Sequence, residues 1–250
     1  MSLEENSGTA ASWYVEQRFG RDWPHLGARW VQQVADGGEY QQLVLPDGSA
    51  DVIVFHDGTV RLVGPTMEPE VVNLPAGSTY RALRLRPGAV RSAIGVPAVE
   101  LRDQVLALGD VVRPGAARAL GLAASGHAAA THSLQHRWES SASERRLRGV
   151  IGWLARNGSA NVDEVASATG LSGRQLRRLL LEHVGVGPKS LQRVFRLQRF
   201  LQLADGQPAA GRLADLAADV GYADQAHLTR EVKRLSGLTP AALLRKRGGG

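Results

Sequence analysis

The sequence predicts an α+β protein of two domains, a β-rich domain over residues 1–135 and an all-α domain over residues 136–250. Two patterns separate them. In the first part, short apolar runs alternate with turn residues such as Asp-Gly, which is typical of β-hairpins. In the second part, apolar residues recur at helical spacing between Gly and Pro. The 250 residues give each domain enough chain for its own core.

The strands are predicted from the stretch QQLVLPDGSADVIVFHDGTVRLVGP and from YRALRLRPG. In the first stretch, PDG at 46–48 and DG at 57–58 are each expected to close a hairpin. In the second, Leu83 and Leu85 alternate with arginines, as in a strand with one buried face. The N-terminal half is therefore expected to form an antiparallel β-structure.

Helical spacing begins after Pro97. It predicts a helix over AVELRDQVLALGD, residues 98–110, and further helix over the Ala-rich segment 116–138, with breaks at Gly121 and Gly126. The serine-rich segment ESSASERR, residues 139–146, is the best candidate for the domain boundary.

The net charge also differs between the N-terminal and C-terminal parts of the chain. Residues 1–134 carry 11 Arg and 14 acidic residues, a net −3, whereas residues 135–250 carry 19 basic and 10 acidic residues, a net +9. A basic half beside a slightly acidic half agrees with a C-terminal part that meets a polyanion, and equally with a solvated basic surface. There is no cysteine, which excludes disulfides, thiolate metal sites and thiol nucleophiles. The polar N-terminus lacks the apolar run of a secretory signal, so a cytoplasmic protein is expected.

One pattern occurs twice in the helical half, over about residues 162–184 and 213–236. In each copy a short helix ends at a Gly turn, Gly170 or Gly221, and a polar residue can cap the helix that follows. The capping residues are Ser172 and Asp224. The pattern predicts two helix-turn-helix units.

The second helix of each unit has an exposed basic face. At 100° per residue, Arg174 and Arg178 lie opposite the inward-facing Leu176, and Arg230 points away from the apolar stripe of the second copy. An arginine on a helix in the major groove can donate two hydrogen bonds to a guanine. It can equally contact phosphate, which positions the protein without specifying sequence.

A helix over about residues 188–204, beginning at a proline, is predicted to link the two units. About 16 helical residues span roughly 24 Å. With the packing around it, such a helix could hold two reading helices about one turn of DNA apart, near 34 Å.

Residues 142–247 resemble the DNA-binding domain of the AraC/XylS family of bacterial transcription regulators. GYADQAHLTREVKRLSGLTP resembles the family signature, and RVFRLQRFLQLA resembles its linker helix. The sequence departs from the family where Leu180 and Val232 replace the usual aromatic residue. Residues 13–115 more loosely resemble the β-rich, cupin-like sensor domain found on one branch of these regulators.

The resemblance implies seven helices, two helix-turn-helix units and a set of residues that contact DNA. By their position in the motif, these are Arg174, Arg177, Arg178, Gln225, Ala226, His227 and Arg230. It implies double-stranded promoter or operator DNA as partner, and leaves open a small-molecule effector, contact with RNA polymerase and homodimerisation. No membrane association, enzymatic activity, cofactor or metal is expected, and no effector-binding residue can be named.

Two other interpretations remain open from the residues alone. The protein could bind or transform a small molecule, with a helical half that is only structural. It could also be a nucleoid-type protein with little sequence preference. His132 and His136, four residues apart on an expected helix, could serve as two metal ligands, but the sequence offers no third ligand, so a solvated helix face is the better interpretation.

Overall fold

The computed structural model describes residues 12–37, 40–138, 141–158, 160–205 and 213–248. Residues 1–11 and residues 139–140 of the serine-rich boundary segment lie outside the described residues. A β-rich N-terminal half precedes a helical C-terminal half, which confirms the α+β fold class.

The described residues of the N-terminal half form eight strands and five helices. The strands are β1 (Trp13–Arg18), β2 (Leu26–Gln33), β3 (Tyr40–Val44), β4 (Ala50–Val54), β5 (Val60–Val63), β6 (Glu70–Leu74), β7 (Thr79–Leu85) and β8 (Val105–Ala107). The helices are α1 (Val90–Ile94), α2 (Ala98–Leu101), α3 (Leu108–Val111), α4 (Pro114–Ala124) and α5 (Ala128–Arg137).

Six strands form one antiparallel sheet in the order β1-β2-β7-β4-β5-β8, and β3 pairs with β6 in a second, two-stranded sheet. Alternate residues of the large sheet, including Val52, Leu62, Leu83 and Leu85, are fully buried in a core that also contains Leu120 of α4. The alternation predicted for β7 is thus confirmed at its buried leucines.

The two predicted hairpin turns have different outcomes. The turn at 57–58 joins the antiparallel neighbours β4 and β5, and Phe55 and Thr59 close it by a backbone hydrogen bond of 2.9 Å, as expected. The hairpin predicted at 46–48 is wrong. That turn is present, with Gly48 at φ 77°, but it connects β3 to β4, which belong to different sheets.

The helix predicted over residues 98–110 is also wrong. Residues 98–101 form the single turn α2, after which Asp103 takes a left-handed φ of 58° and the chain becomes the edge strand β8. Apolar residues in so short a segment fit a strand as well as a helix, and pairing with β5 decides between them. The break expected at Gly121 does not occur, because α4 continues through it, whereas Gly126 does separate α4 from α5.

In the part of the C-terminal half that the structure describes, seven helices follow, which is the number that the family resemblance implies. They are α6 (Ala142–Arg156), α7 (Val162–Thr169), α8 (Gly173–Val184), α9 (Pro188–Ala204), α10 (Leu213–Asp219), α11 (Gln225–Ser236) and α12 (Pro240–Gly248). Where one domain ends and the other begins stays a prediction.

The helices form two apolar clusters that share α9. Leu191, near the start of α9, belongs to a cluster with α6, α7 and α8. Leu197, Phe200 and Leu201, further along the same helix, belong to a second cluster with α10, α11 and α12. One helix therefore supplies part of both cores.

The two halves pack closely. Gly88 has a φ of 89°, and a Cβ at this position would lie 2.5 Å from Ile151 Cδ1 on α6. Gln198 Nε2 on α9 donates a hydrogen bond of 2.7 Å to the carbonyl oxygen of Pro46. The buried ring of His25 lies 3.6 Å from Glu144 at the start of α6. Among the described residues, no helix combines the length and apolar character needed to cross a bilayer.

Candidate nucleic-acid interface

The first helix-turn-helix unit consists of α7 and α8. Asn161 and Glu164 form a reciprocal capping box at the start of α7, and Gly170 ends that helix with a left-handed φ of 64°. Ser172 then caps α8 by accepting a hydrogen bond of 3.2 Å from the backbone N–H of Gln175. The predicted turn and the predicted cap are both present, so the chain direction between the two helices is set locally.

Packing of this unit orients α8. Val165 of α7 and Leu176 and Leu180 of α8 are fully buried in the first cluster. The opposite side of α8 is consequently exposed and carries Arg174, Arg177 and Arg178. Among the described residues these three guanidinium groups have no hydrogen-bond or ion-pair partner. Three unpaired cations on one helix can meet an anionic ligand without first breaking an internal contact.

The second unit consists of α10 and α11. Gly221 makes the turn at φ 83°, and Asp224 caps α11 by accepting a hydrogen bond of 2.6 Å from the backbone N–H of His227. Leu216 and Ala217 of α10 pack with the fully buried Leu228 of α11. The turn and cap predicted for this copy are therefore present as well.

The exposed residues of α11 include Gln225, Ala226 and Arg230, whereas His227 is half-buried. The His227 ring meets the edge of Tyr222 at 5.2 Å, and its Nδ1 accepts a 3.4 Å hydrogen bond from the Ala223 N–H. The ring is thus held against the turn, which leaves Nε2 as the nitrogen available to a ligand. That the seven motif residues contact DNA stays a prediction.

A cleft of about 650 Å³ between the two units brings together further basic residues. Lys189 and Arg193 of α9 and Arg234 of α11 line it beside Arg177. Helical periodicity gives no signal for these three, because α9 and α11 come together only through tertiary packing. Arg102 and Asp103 of the N-terminal half line the same cleft.

A groove of about 670 Å³ runs along the exposed face of α8. One wall consists of Arg174, Arg178 and Leu181, and the other includes Val99 and Glu100 of α2. The N-terminal half thus lies directly beside the first reading helix. The sequence offered no signal for this proximity, since α2 is only one turn long and was expected to belong to a longer helix.

The N-terminal half contains a cluster of polar side chains that pair with one another. Arg84 pairs with Asp51 through Nε at 3.1 Å and Nη2 at 3.2 Å, and Trp30 Nε1 donates to the same carboxylate at 3.1 Å. Although burial opposes its charge, the carboxylates of Asp51 and Asp47 raise the pKa of Arg84. The cluster is internally paired and identifies no effector site.

Metal ligands do not converge within the part of the chain that the structure describes, where no group of three His, Cys, Asp or Glu residues could hold an ion. His132 and His136 are exposed on α5, and His132 Nδ1 lies 2.9 Å from the carbonyl oxygen of Ala128.

Comparison with known proteins agrees with the geometry of the two units. A family profile described as "Helix-turn-helix domain" matches residues 165–246, and one described as a domain of unknown function (DUF6597) matches residues 24–107. The HTH-type transcriptional regulator GlxA of Rhizobium meliloti (strain 1021) is 33% identical over 84 residues, which are 34% of this chain and 25% of that protein. The chain therefore matches about a quarter of the length of this curated relative.

Several solved structures align with the chain at low sequence identity. The C-terminal domain of AraT, a response regulator from Geobacillus stearothermophilus, aligns over 43% of this chain and 89% of its own, with 20% identity and a TM-score of 0.38. A probable AraC family transcriptional regulator from Rhodopseudomonas palustris CGA009 aligns over 41% and 96%, with 19% identity and a TM-score of 0.35. ToxT from Vibrio cholerae O395 aligns over 86% and 95%, with 10% identity and a TM-score of 0.44.

The C-terminal half is a double helix-turn-helix domain, as its two capped helix pairs and the matching family profile show together. The resemblance of this domain to the DNA-binding domain of AraC/XylS regulators is thereby confirmed.

Proposed function

We propose that this protein is a sequence-specific DNA-binding transcription regulator whose N-terminal half responds to an effector. The observation that carries the proposal is the pair of helix-turn-helix units on one shared helix, each with an exposed basic second helix. We further propose the division into a sensor or dimerisation domain, residues 1–135, and a DNA-binding domain, residues 136–250. The mechanism is non-covalent, and the protein acts in the cytoplasm, where bacterial DNA lies.

In this proposal α8 and α11 enter two successive major grooves on one side of the duplex. Arg174, Arg177 and Arg178 contact DNA from α8 because their guanidinium groups are exposed and unpaired among the described residues. From α11, Arg230 and Gln225 can donate to base edges, His227 can offer Nε2, and Ala226 can contact a thymine methyl group. The α11 residues that we propose to contact DNA are therefore Gln225, Ala226, His227 and Arg230.

The basic cleft between the units supports phosphate binding. Lys189, Arg193 and Arg234 lie between the two reading helices, where the backbone separating two major grooves would pass. Contacts to phosphate supply affinity and make binding depend on salt, while the reading helices supply the choice of sequence.

The groove beside α8 suggests how an effector could act. Because α2 forms one wall of this groove, a shift of α1 and α2 would change the access of DNA to Arg174 and Arg178. Arg91 of α1 and Glu182 of α8, 3.6 Å apart, connect the same elements. RNA polymerase and a second copy of the chain are proposed as further partners.

The proposal is tested by selecting fragments of bacterial genomic DNA that the full chain retains, followed by footprinting and gel shifts at two salt concentrations. We expect a protected site spanning two major grooves. Arg230→Ala should weaken binding to the selected site by about 1–3 kcal/mol if Arg230 reads a base, with little effect on random DNA. Arg118→Ala, which removes an exposed arginine of α4, is the charge-matched control.

Equal affinity for selected and random DNA would support the nucleoid-type interpretation instead. The absence of any salt-dependent binding would favour a protein whose helical half is structural.

A further inference from the structure

The linker helix and the second reading helix are joined by an ion cluster. Arg193 Nε of α9 lies 3.2 Å from Glu231 Oε2 of α11, and Arg196 Nη2 lies 3.7 Å from the same oxygen. The side chains of Arg196 and Glu231 are only 13% and 12% exposed. Glu231 directly follows Arg230, so the contact fixes the backbone beside an exposed residue of the reading face.

Arg196 extends the cluster to two further elements. Its Nη1 donates a 3.2 Å hydrogen bond to the carbonyl oxygen of Gly158, in the connection between α6 and α7. Its guanidinium lies 4.9 Å from the centre of the Tyr222 ring, in the turn of the second unit. The same ring contacts His227. One linker side chain therefore touches both the turn and the helix of the second unit.

The cluster is a poor device for stability alone. Arg196 Nε, Glu231 Oε2 and the Tyr222 hydroxyl are buried without an aligned hydrogen-bond partner among the described residues. A buried ion pair gains little over apolar packing, because desolvation of both charges offsets their attraction. At the matching positions of the first unit stand Leu171 and Leu179, both packed against an apolar cluster.

An ion pair restricts the relative orientation of two helices more than apolar packing does. Apolar side chains can slide past one another, whereas the two arginines approach a single carboxylate oxygen of α11 from α9. Rotation of a helix by about 20° moves a side chain at its outer radius of about 5–6 Å by about 2 Å. Base-edge hydrogen bonds need donor–acceptor distances within about 2.7–3.2 Å, so such a rotation breaks them.

We propose that Arg193, Arg196 and Glu231 set the rotation of α11 relative to α9, and so fix which spacing of two DNA half-sites the protein accepts. The inference rests on the proposed DNA-binding function. Arg196 and Glu231 are positioning residues in this scheme, because they act through Arg230 and its neighbours and not by touching DNA themselves.

The test compares the full chain and its variants on duplexes that carry the selected site with its native half-site spacing, or with one or two base pairs inserted. Each inserted base pair turns one half-site by about 35° relative to the other. Wild-type protein should lose about tenfold in affinity on the first insertion, equivalent to the loss of one good base contact.

Glu231→Gln keeps the shape of the side chain and removes its charge. It should bind the native spacing about tenfold more weakly and lose most of the preference among spacings, since α11 can then rotate to follow a displaced half-site. Asp205→Asn is the matched control, because it breaks the exposed pair between Asp205 and Arg247 of α12, 2.7 Å apart, at the other end of α9. This control should retain the wild-type spacing preference.

A uniform loss on all spacings, or an unchanged spacing profile, would overturn the positioning role. If Glu231→Gln does not fold, the spacing test is repeated with the double variant Arg196→Met/Glu231→Leu. This variant removes both buried charges together, so neither is left unpaired. If that variant also fails to fold, the cluster is structural and the inference is wrong. Wild-type protein without any spacing preference would instead count against the proposed function itself.

Discussion

The two helix-turn-helix units share one local design but differ in what holds their reading helices. In the first unit, α8 packs through leucines within its own cluster and also lies against α1 and α2 of the N-terminal half. In the second, α11 is tied to α9 by the ion cluster around Glu231. The same motif therefore supports two kinds of attachment.

The difference indicates separate roles for the two units. The C-terminal end of α8 meets the N-terminal half at Gly185, whose carbonyl oxygen lies 3.5 Å from Arg102 Nη1. A change in the N-terminal half can thus reach α8 directly. Leu43 and Leu45 of the N-terminal half also pack against the second cluster, but α11 itself is held to the linker helix by the ion cluster, so the second unit is suited to keep a fixed relation to that helix.

The largest expected effect tests whether the two units are equally well packed. Leu176 and Leu228 occupy the same motif position and are both 0% exposed. Truncation of either to Ala should lower the free energy of unfolding by about 2–5 kcal/mol, through lost burial and the remaining cavity. Chemical denaturation measures both, and Leu203→Ala, at an exposed position of α9, is the control. A cost below about 1 kcal/mol in one unit would show that its core collapses around the gap.

A smaller loss of stability is expected from substitutions at the C-terminal ends of the two reading helices, and it should differ between the two ends. Gly185 and Gly237 both end their helices in the left-handed region, at φ 86° and 72°. Substitution by Ala costs each about 1–2 kcal/mol of backbone strain. At Gly185 the added Cβ would also lie 2.9 Å from the carbonyl oxygen of Ala98, whereas at Gly237 the nearest atom is 4.0 Å away. Gly185→Ala should therefore lower the melting temperature more, and an equal shift would contradict the close contact with α2.

Removal of either N-cap should lower the free energy of unfolding by about 1 kcal/mol, with a small difference between the two units. Ser172→Ala and Asp224→Ala each remove an N-cap acceptor, which costs about 1 kcal/mol. Asp224 should cost slightly more, because its negative charge also interacts with the helix dipole. Asp224→Asn keeps the acceptor and isolates that charge contribution. Thermal unfolding of the three variants gives the values, and a smaller loss for Asp224→Ala than for Ser172→Ala would refute the expected order.

The smallest effect is a pH dependence of stability where α6 and α8 meet the N-terminal half. Burial lowers the pKa of His25 and of His183, although Glu144 opposes this at both and Glu182 opposes it at His183, while Arg148 and Arg91 reinforce it. Below the unfolded-state pKa of about 6.5, the unfolded chain binds more protons than the folded chain, so stability falls as the pH falls.

Melting temperatures measured at about pH 7.5 and 5.5 should therefore decrease on acidification, less so in a His25→Phe/His183→Gln variant than in the wild type. Stability that rises on acidification would mean that Glu144 gains more from the protonated rings than burial costs.

Sequence alone predicts the parts of the fold that local chemistry determines. Gly170, Ser172 and Asp224 act within a few residues, so the turns and caps of both units could be placed correctly. Errors arose where distant pairing decides, as at residues 46–48, which connect two sheets, and at 105–107, which pair with β5.

The residues of the candidate site also fall into a group that local sequence predicts and a group that it does not. Exposure of Arg174, Arg178 and Arg230 follows from helical spacing, because each lies opposite a buried stripe. The Arg193–Glu231 contact and the wall formed by α2 could not be predicted, because each joins residues far apart in the chain.

The place of α9 in both apolar clusters limits how this domain can vary. Insertion of one residue in the middle of α9 would turn everything after it by about 100° and shift it by about 1.5 Å. The residues before the insertion would keep their partners in one core, while those after it would face away from the other. Related chains can be expected to tolerate length changes between the helices but to preserve the number of residues along this one.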